Sequence, residues 1–317
     1  MRTLDPTEAV ARARAGDRLA LSRLISAVEE RSAVAEEIGR LVPPGRAHVI
    51  GITGAPGVGK STTTAALIEE WRSRGRTVAV VAVDPSSPFT GGALLGDRVR
   101  MEVHSTDPGV YIRSMAARGQ LGGLAAATPA AVGLLSGLGF DIIVVETVGV
   151  GQSEVDIVRY ADTVLILQAP GMGDRIQATK AGLLEIGDVF AVNKSDRPGA
   201  NLTKRELGAM IAAKPLTAGQ WRPPVVPVVA TQGEGVADLV DLLDAHQDWA
   251  ANSGSARIRR TERAAAEITA LVLEVVQRGI RDREAELSAL AARVAEGSLG
   301  ASEAARLLLP ADRPVVP

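Results

Sequence analysis

The chain contains no cysteine, which excludes disulfides, thiolate metal sites and thiol catalysis. Histidine is nearly as scarce: His48, His104 and His246 stand far apart, a spacing that suits structural or solvated roles rather than a set of metal ligands. Net charge is almost lacking too, −2 over 317 residues with a pI near 6.0. That leaves no electrostatic case for a nucleic acid or a polyanionic surface as partner. No run of about 18 uninterrupted apolar residues occurs, and the opening "MRTLDPTEAVARARAGDRLA" has no apolar core of the kind a secretory signal needs. The expectation is a cytoplasmic protein without a membrane partner. Lysine is rare among the basic residues, and the five positions that carry it, Lys60, Lys180, Lys194, Lys204 and Lys214, merit inspection.

What is present begins with "DPTE", an acid followed by proline and, three residues on, glutamate, which is a helix start. Leu21, Leu24, Ile25 and Val28 recur at helical spacing, and the helical style continues until Pro43 and Pro44 stop it. Residues 1–44 are expected to form an N-terminal helical arm. From there the period changes. "AHVIGIT", "TVAVVAVD", "DIIVVE", "TVLILQA", "DVFAVNK" and "PVVPVVA" are short Val/Ile-rich runs, each entering a loop, with helical stretches between most of them. Continuous apolar strands alternating with helices predict an α/β fold, a mainly parallel doubly wound sheet over residues 45–252, with ligands bound at the carboxyl ends of the strands. Residues 253–317 return to helix. There Ala264, Ile268, Leu271, Val272 and Val275 form one apolar stripe and Leu287, Leu290 and Val294 a second, which need either the same domain or a second copy to pack against.

"GITGAPGVGKST" follows the first strand, and Gly54 to Ser61 fit G-x-x-x-x-G-K-S. Glycines let a loop turn its N–H groups inward on a β-phosphate, with the positive end of the next helix behind them. Gly54, Ala55, Pro56, Gly57, Val58, Gly59, Lys60, Ser61 and Thr62 are therefore the expected phosphate cradle, Lys60 neutralising β/γ oxygens and the Ser61 hydroxyl ligating Mg²⁺. "NKSD" ends a later strand, where Asp196 can accept two hydrogen bonds from guanine N1–H and the exocyclic amine while the stem of Lys194 lies along the ring. Adenine would leave that carboxylate unpaired. With Asn193 before them, these residues predict GTP rather than ATP. In "VVATQGEG", Ala230 and Thr231 are the candidates whose amide would meet guanine O6.

Asp84 ends the second strand, where a carboxylate can hold a Mg²⁺-bound water. The following "SSPFTGGALLGD" has few apolar anchors and reads as a switch carrying Asp97, Arg98 and Arg100, with Asp97 also a candidate for the metal shell. "DIIVVETVGVGQSEVD" ends its strand on Glu146 where aspartate is commoner. A longer carboxylate can reach a hydrated Mg²⁺ from a strand set further back, and Gly149 can still offer its N–H to a γ-phosphate. Val150 stands where small GTPases orient the attacking water, which valine cannot do. Intrinsic hydrolysis is expected to be slow, ~10⁻⁴ to 10⁻² s⁻¹. Arg98, or Asp97, Arg100 and Gln152 as catalytic candidates beside Lys60, would complete the site once a partner positions them.

Together, "GAPGVGKST", "VDPSSPFTGGALLGDRVRM", "ETVGVGQSE", "QAPGMGDRIQATKAGLLEIGD" and "NKSD" resemble the MeaB-type G-protein chaperones of adenosylcobalamin-dependent acyl-CoA mutases, in motif detail over residues 45–250 and in the helical arms. The resemblance implies a homodimeric P-loop GTPase that binds GTP/GDP and Mg²⁺, gates cofactor loading into a mutase and protects it from inactivation. It also implies that Asp174, Gln177 and Lys180 relay nucleotide state to the mutase. A nickel-insertion GTPase of similar fold would need Cys/His ligand clusters, and a P-loop small-molecule kinase would prefer ATP and carry a second substrate pocket.

Overall fold

The computed structural model describes residues 4–30, 34–84, 104, 106–116, 128–147, 157–171, 184–215, 217 and 219–309. These divide into two compact units, Met1–Thr261 and Glu262–Pro317.

The first unit opens with three helices, α1 (Pro6–Arg14), α2 (Arg18–Glu29) and α3 (Ala35–Leu41). Asp5 caps α1 by accepting from the Thr7 and Glu8 N–H groups, with Pro6 as the first helical residue, and Asp17 does the same for α2 through Leu19 and Ala20. Both caps satisfy donors that a helix start leaves without partners. There follow β1 (His48–Thr53), α4 (Lys60–Ser73), β2 (Val78–Asp84), β3 (Val110–Ala116), α5 (Thr128–Gly137), β4 (Ile142–Thr147), β5 (Thr163–Gln168), β6 (Val189–Asn193), α6 (Ala200–Ala212), β7 (Val225–Val228), α7 (Val236–Ser253) and the start of α8 (Ser255–Arg281). The seven strands form one parallel sheet in the order β3-β2-β4-β1-β5-β6-β7. All six apolar runs are strands of this sheet. The seventh strand, β3, was not among the expected runs. Among the described residues it pairs only with β2, and its Arg113 donates to Ser26 Oγ (3.0 Å) and Glu29 Oε2 (2.7 Å) of α2. Arg113 and Ser114 interrupt what is otherwise an apolar strand, Val110–Ala116, and leave no long apolar run to read.

Helices cover both faces. On one, α4 and α7 bury Leu67, Ile68, Trp71, Leu239, Val240 and Leu243 against β1, β2, β5 and β6. On the other, α1, α2, α3 and α5 pack over β2 to β4, while α6 packs over β5 and β6 around Phe190. The N-terminal helices therefore belong to the same core as the sheet. Burial on two faces is what makes β1, β5 and β6 apolar at every position but their ends. The chain reverses its direction of travel across the sheet on either side of β1, so the crevice beyond the β4, β1 and β5 ends is where such a fold binds a ligand.

The second unit contains the rest of α8 with α9 (Glu284–Ala295) and α10 (Ala301–Leu308). Among its described residues, Leu290 and Ala304 are the buried apolar ones, while Ile268, Leu271, Val272, Val275 and Leu287 are exposed. Among the described residues, no helix is long and apolar enough to cross a membrane.

Candidate nucleotide-binding site

Residues 54–59 join β1 to α4 in a turn that only glycine-rich sequence can make. Gly54, Gly57 and Gly59 have φ of 147°, 83° and 96°, the left-handed region that costs other residues about 1 kcal/mol or more. Space is as restrictive as torsion: a Cβ on Gly54 would collide with the Leu167 carbonyl of β5, and one on Gly59 with Asn193 Nδ2. Lys60 is the first residue of α4 and is buried; its Nζ donates to the carbonyls of Gly54 (2.7 Å) and Ala55 (3.4 Å). An ammonium stretched back over its own loop stands where anionic oxygens entering that loop would meet it.

Glu146 lies near the end of β4, in register with Ile52 of β1 and Ala82 of β2, and is 3% exposed. Its Oε1 accepts from Ser61 Oγ at 2.9 Å and its Oε2 from Thr64 Oγ1 at 3.0 Å. The motif thus reaches the carboxylate predicted from sequence through the hydroxyl predicted to bind metal. Hard hydroxyl and carboxylate oxygens side by side at the mouth of a phosphate loop are the donor set that suits Mg²⁺. Asp84 is the last residue of β2, whose neighbouring residue Val83 is in register with Thr147 of β4.

The strands on the other side of β1 bring in the second motif. Asn193 ends β6 and is buried; its Nδ2 donates to the Val58 carbonyl (2.9 Å) and its Oδ1 accepts from the Ala230 N–H (3.2 Å). Lys194 turns into the left-handed region at φ 57° and donates from Nζ to the Gly57 carbonyl (2.7 Å). The Ser195 N–H donates to Val228 O at 3.1 Å. The phosphate loop, "NKSD" and the loop after β7 are consequently one hydrogen-bonded assembly, with Asp196 and Thr231 exposed at its surface.

Of the predicted residues, the structure brings together 54–62, Glu146, Asn193, Lys194, Asp196, Ala230 and Thr231 at one end of the sheet. Asp97, Arg98, Arg100, Gly149, Val150, Gln152, Asp174, Gln177 and Lys180 lie outside the described residues. Two features were missed from sequence. Thr64 is one; its only signal is its place three residues after Ser61 on α4. The other is a buried polar chain at the opposite end of the strands. His48 Nε2 and His246 Nδ1 both lie 2.7 Å from Thr163 Oγ1, and Asp188 binds Arg259 through both oxygens at 2.7 Å.

A family model described as "Methylmalonyl Co-A mutase-associated GTPase MeaB" matches residues 21–285. A Pyrococcus abyssi protein that carries a GTPase name is 47% identical over 309 residues, 95% of either chain. The Mus musculus protein named methylmalonic aciduria type A homolog, mitochondrial, is 34% identical over 268 residues, 83% of this chain and 65% of that one. Among solved structures, one titled LAO/AO transport system kinase has the same fold, with a TM-score of 0.71 at 23% identity over 96% of this chain and 98% of the other.

Proposed function

Because the chain belongs to the MeaB family of P-loop GTPases, we propose that it is a Mg²⁺-dependent GTPase that acts as a chaperone of an adenosylcobalamin-dependent acyl-CoA mutase. In this role it gates loading of the cofactor and protects the mutase. The family description, with its methylmalonyl-CoA mutase association, supports the partner.

The observation that carries the nucleotide chemistry is the pair of hydrogen bonds of the Asn193 amide, donated to Val58 O and accepted from the Ala230 N–H. It ties base-reading and phosphate-binding loops into one rigid pocket, so that Asp196 would meet the guanine edge while the 54–59 amides and Lys60 bind phosphate. With the Ala230 N–H engaged by Asn193, Thr231 is the amide for guanine O6. Ser61, with Asp84 and Glu146, would hold Mg²⁺, whose charge offsets that developing on the β- and γ-phosphate oxygens. Val150 supplies no group to orient water, so hydrolysis by the chain alone is slow. Asp97, Arg100 and Gln152 then act when the mutase positions them, with Asp174, Gln177 and Lys180 carrying the nucleotide state to it.

The test is binding of fluorescent GTP and ATP analogues, followed by GTP turnover with and without methylmalonyl-CoA mutase. Guanine preference, single-turnover hydrolysis well below about 1 s⁻¹ for the chain alone and stimulation by the mutase are expected. ATP preference would remove the nucleotide assignment, and an unchanged turnover the partner.

A further inference from the structure

From the Ser61–Glu146–Thr64 geometry we infer that Thr64 is a positioning residue for the metal site: its hydroxyl locks the Glu146 carboxylate so that Ser61 presents its lone pairs, and not its hydrogen, to Mg²⁺. This rests on the Mg²⁺-dependent reading above and extends it to a residue outside the phosphate-loop motif.

Ser61 has one hydrogen and two lone pairs. An ionised carboxylate only accepts, so the Ser61 hydrogen points at Glu146 Oε1 across 2.9 Å, and the lone pairs face away from it. How firmly they do so depends on the carboxylate plane. A carboxyl group on a flexible side chain, held by one hydrogen bond, can rotate about its last bond. Thr64 restricts that freedom by donating to Oε2 at 3.0 Å. Ser61 and Thr64 stand three residues apart on α4 and so share a face, and both are buried, Thr64 completely. Two hydroxyls from one rigid helix hold two oxygens of one carboxylate.

The same geometry explains why glutamate stands at 146. Aspartate, one carbon–carbon bond shorter on the same strand, would draw both oxygens beyond hydrogen-bond range of α4. A longer side chain is a looser one, and the second hydroxyl removes the looseness that the length introduces.

The experiment is a Mg²⁺ titration of fluorescent GDP affinity, with EDTA as the metal-free limit. In Thr64→Val the half-saturating Mg²⁺ concentration should rise about tenfold, the scale of one hydrogen bond to a charged group, while affinity in EDTA stays within about twofold. Thr64→Ser keeps the hydroxyl and should restore the wild-type titration. Should the valine variant fold poorly, Thr64→Ala carries the same expectation. In Glu146→Asp the carboxylate has already parted from Thr64, so adding Thr64→Val should change the Mg²⁺ titration no further. The inference is overturned if Thr64→Val titrates like wild type, if Thr64→Ser fails as badly as valine, if EDTA affinity falls equally, or if the two changes simply add. A wild-type chain whose guanine-nucleotide affinity ignores Mg²⁺ would sink the metal reading itself, and this inference with it.

Discussion

In the proposed site, Asp196 is the residue on which base choice would turn. It is exposed on a loop held by the Ser195 N–H bond to β7, so the backbone that carries its carboxylate is anchored before a base arrives. Asp196→Asn keeps the shape but replaces one acceptor by a donor, which faces the donor amine of guanine. Affinity for GTP should fall on the order of a hundredfold or more, while xanthosine triphosphate, with a carbonyl where guanine has that amine, should gain. Competition binding with GTP, XTP and ATP checks this; unchanged GTP affinity would remove Asp196 from the base site. His48 is the counterpart at the other end of the strands, where burial, working against the Asp162 and Asp244 carboxylates, lowers its pKa from 6.5 to about 4. The folded chain holds His48 neutral where the unfolded chain protonates it, so stability is full above pH 6.5 and is lost as pH falls toward 4. At Asp188, burial alone would raise the pKa, but the hydrogen bonds from Arg259 and the His246 imidazole, its Nε2 3.3 Å away, outweigh it and lower the value to about 2. Its contribution is present above the ordinary carboxylate range and fades only as pH falls from there toward 2. The loss between pH 7.5 and 5 is therefore assigned to His48, about 2 kcal/mol. Urea unfolding of His48→Gln, which can keep a bond to Thr163, should flatten that dependence; an equally steep variant would place the linkage elsewhere.

At the scale of elements, the site is made by how loops join rather than by any loop alone. Gly59 was legible as a glycine of the phosphate motif, and its positive φ follows from that role. That its missing Cβ also makes room for Asn193 Nδ2 was not, because no local pattern links residues as far apart as Asn193 and Val58, 135 positions. Gly59→Ala should push Asn193 from Val58 and Ala230 and so loosen base and phosphate subsites together, lowering GTP affinity on the order of a hundredfold. Gly75→Ala is the control, with an equally left-handed φ of 77° and open space around it. It should cost about 1 kcal/mol of stability and leave GTP affinity alone. Equal binding losses in the two variants, measured by fluorescent GTP titration beside urea unfolding, would refute the idea that the Gly59–Asn193 contact couples the subsites. The same logic separates what was readable elsewhere. β1, β5 and β6 are buried on both faces and so wrote themselves as apolar runs. β3 was harder to see because Arg113 and Ser114 cut its apolar run to three residues, Val110 to Ile112, and Thr64 looked like any helix threonine until β4 brought Glu146 opposite.

On the scale of the whole molecule, alternation of strand and helix sufficed to predict a parallel sheet with its site at the carboxyl ends. The order β3-β2-β4-β1-β5-β6-β7 was not predictable, since which strands neighbour β1 depends on crossovers that leave no periodic mark. The C-terminal unit poses the converse problem, a strong pattern without a visible use. On α8, Ile268, Leu271, Val272 and Val275 are all exposed, Ile268 at 62%, along a helix of 27 residues, about 40 Å. Isolated exposed leucines are ordinary, but four exposed apolar side chains within two turns, roughly 10 Å of that helix, form a stripe that argues for an interface. A second copy offers the matching stripe at once, because a two-fold contact places the same surface on both sides. The homodimer that the family resemblance implies therefore predicts a particle of twice 32.9 kDa by sedimentation velocity. Leu271→Glu combined with Val275→Glu should reduce it to the mass of one chain, since like charges would face one another across the contact. Nucleotide affinity should survive, as every described residue of the phosphate and base loops belongs to the first unit. A wild-type chain that sediments as a monomer, or a charged variant that stays dimeric, would assign the stripe to another partner or the contact to another surface.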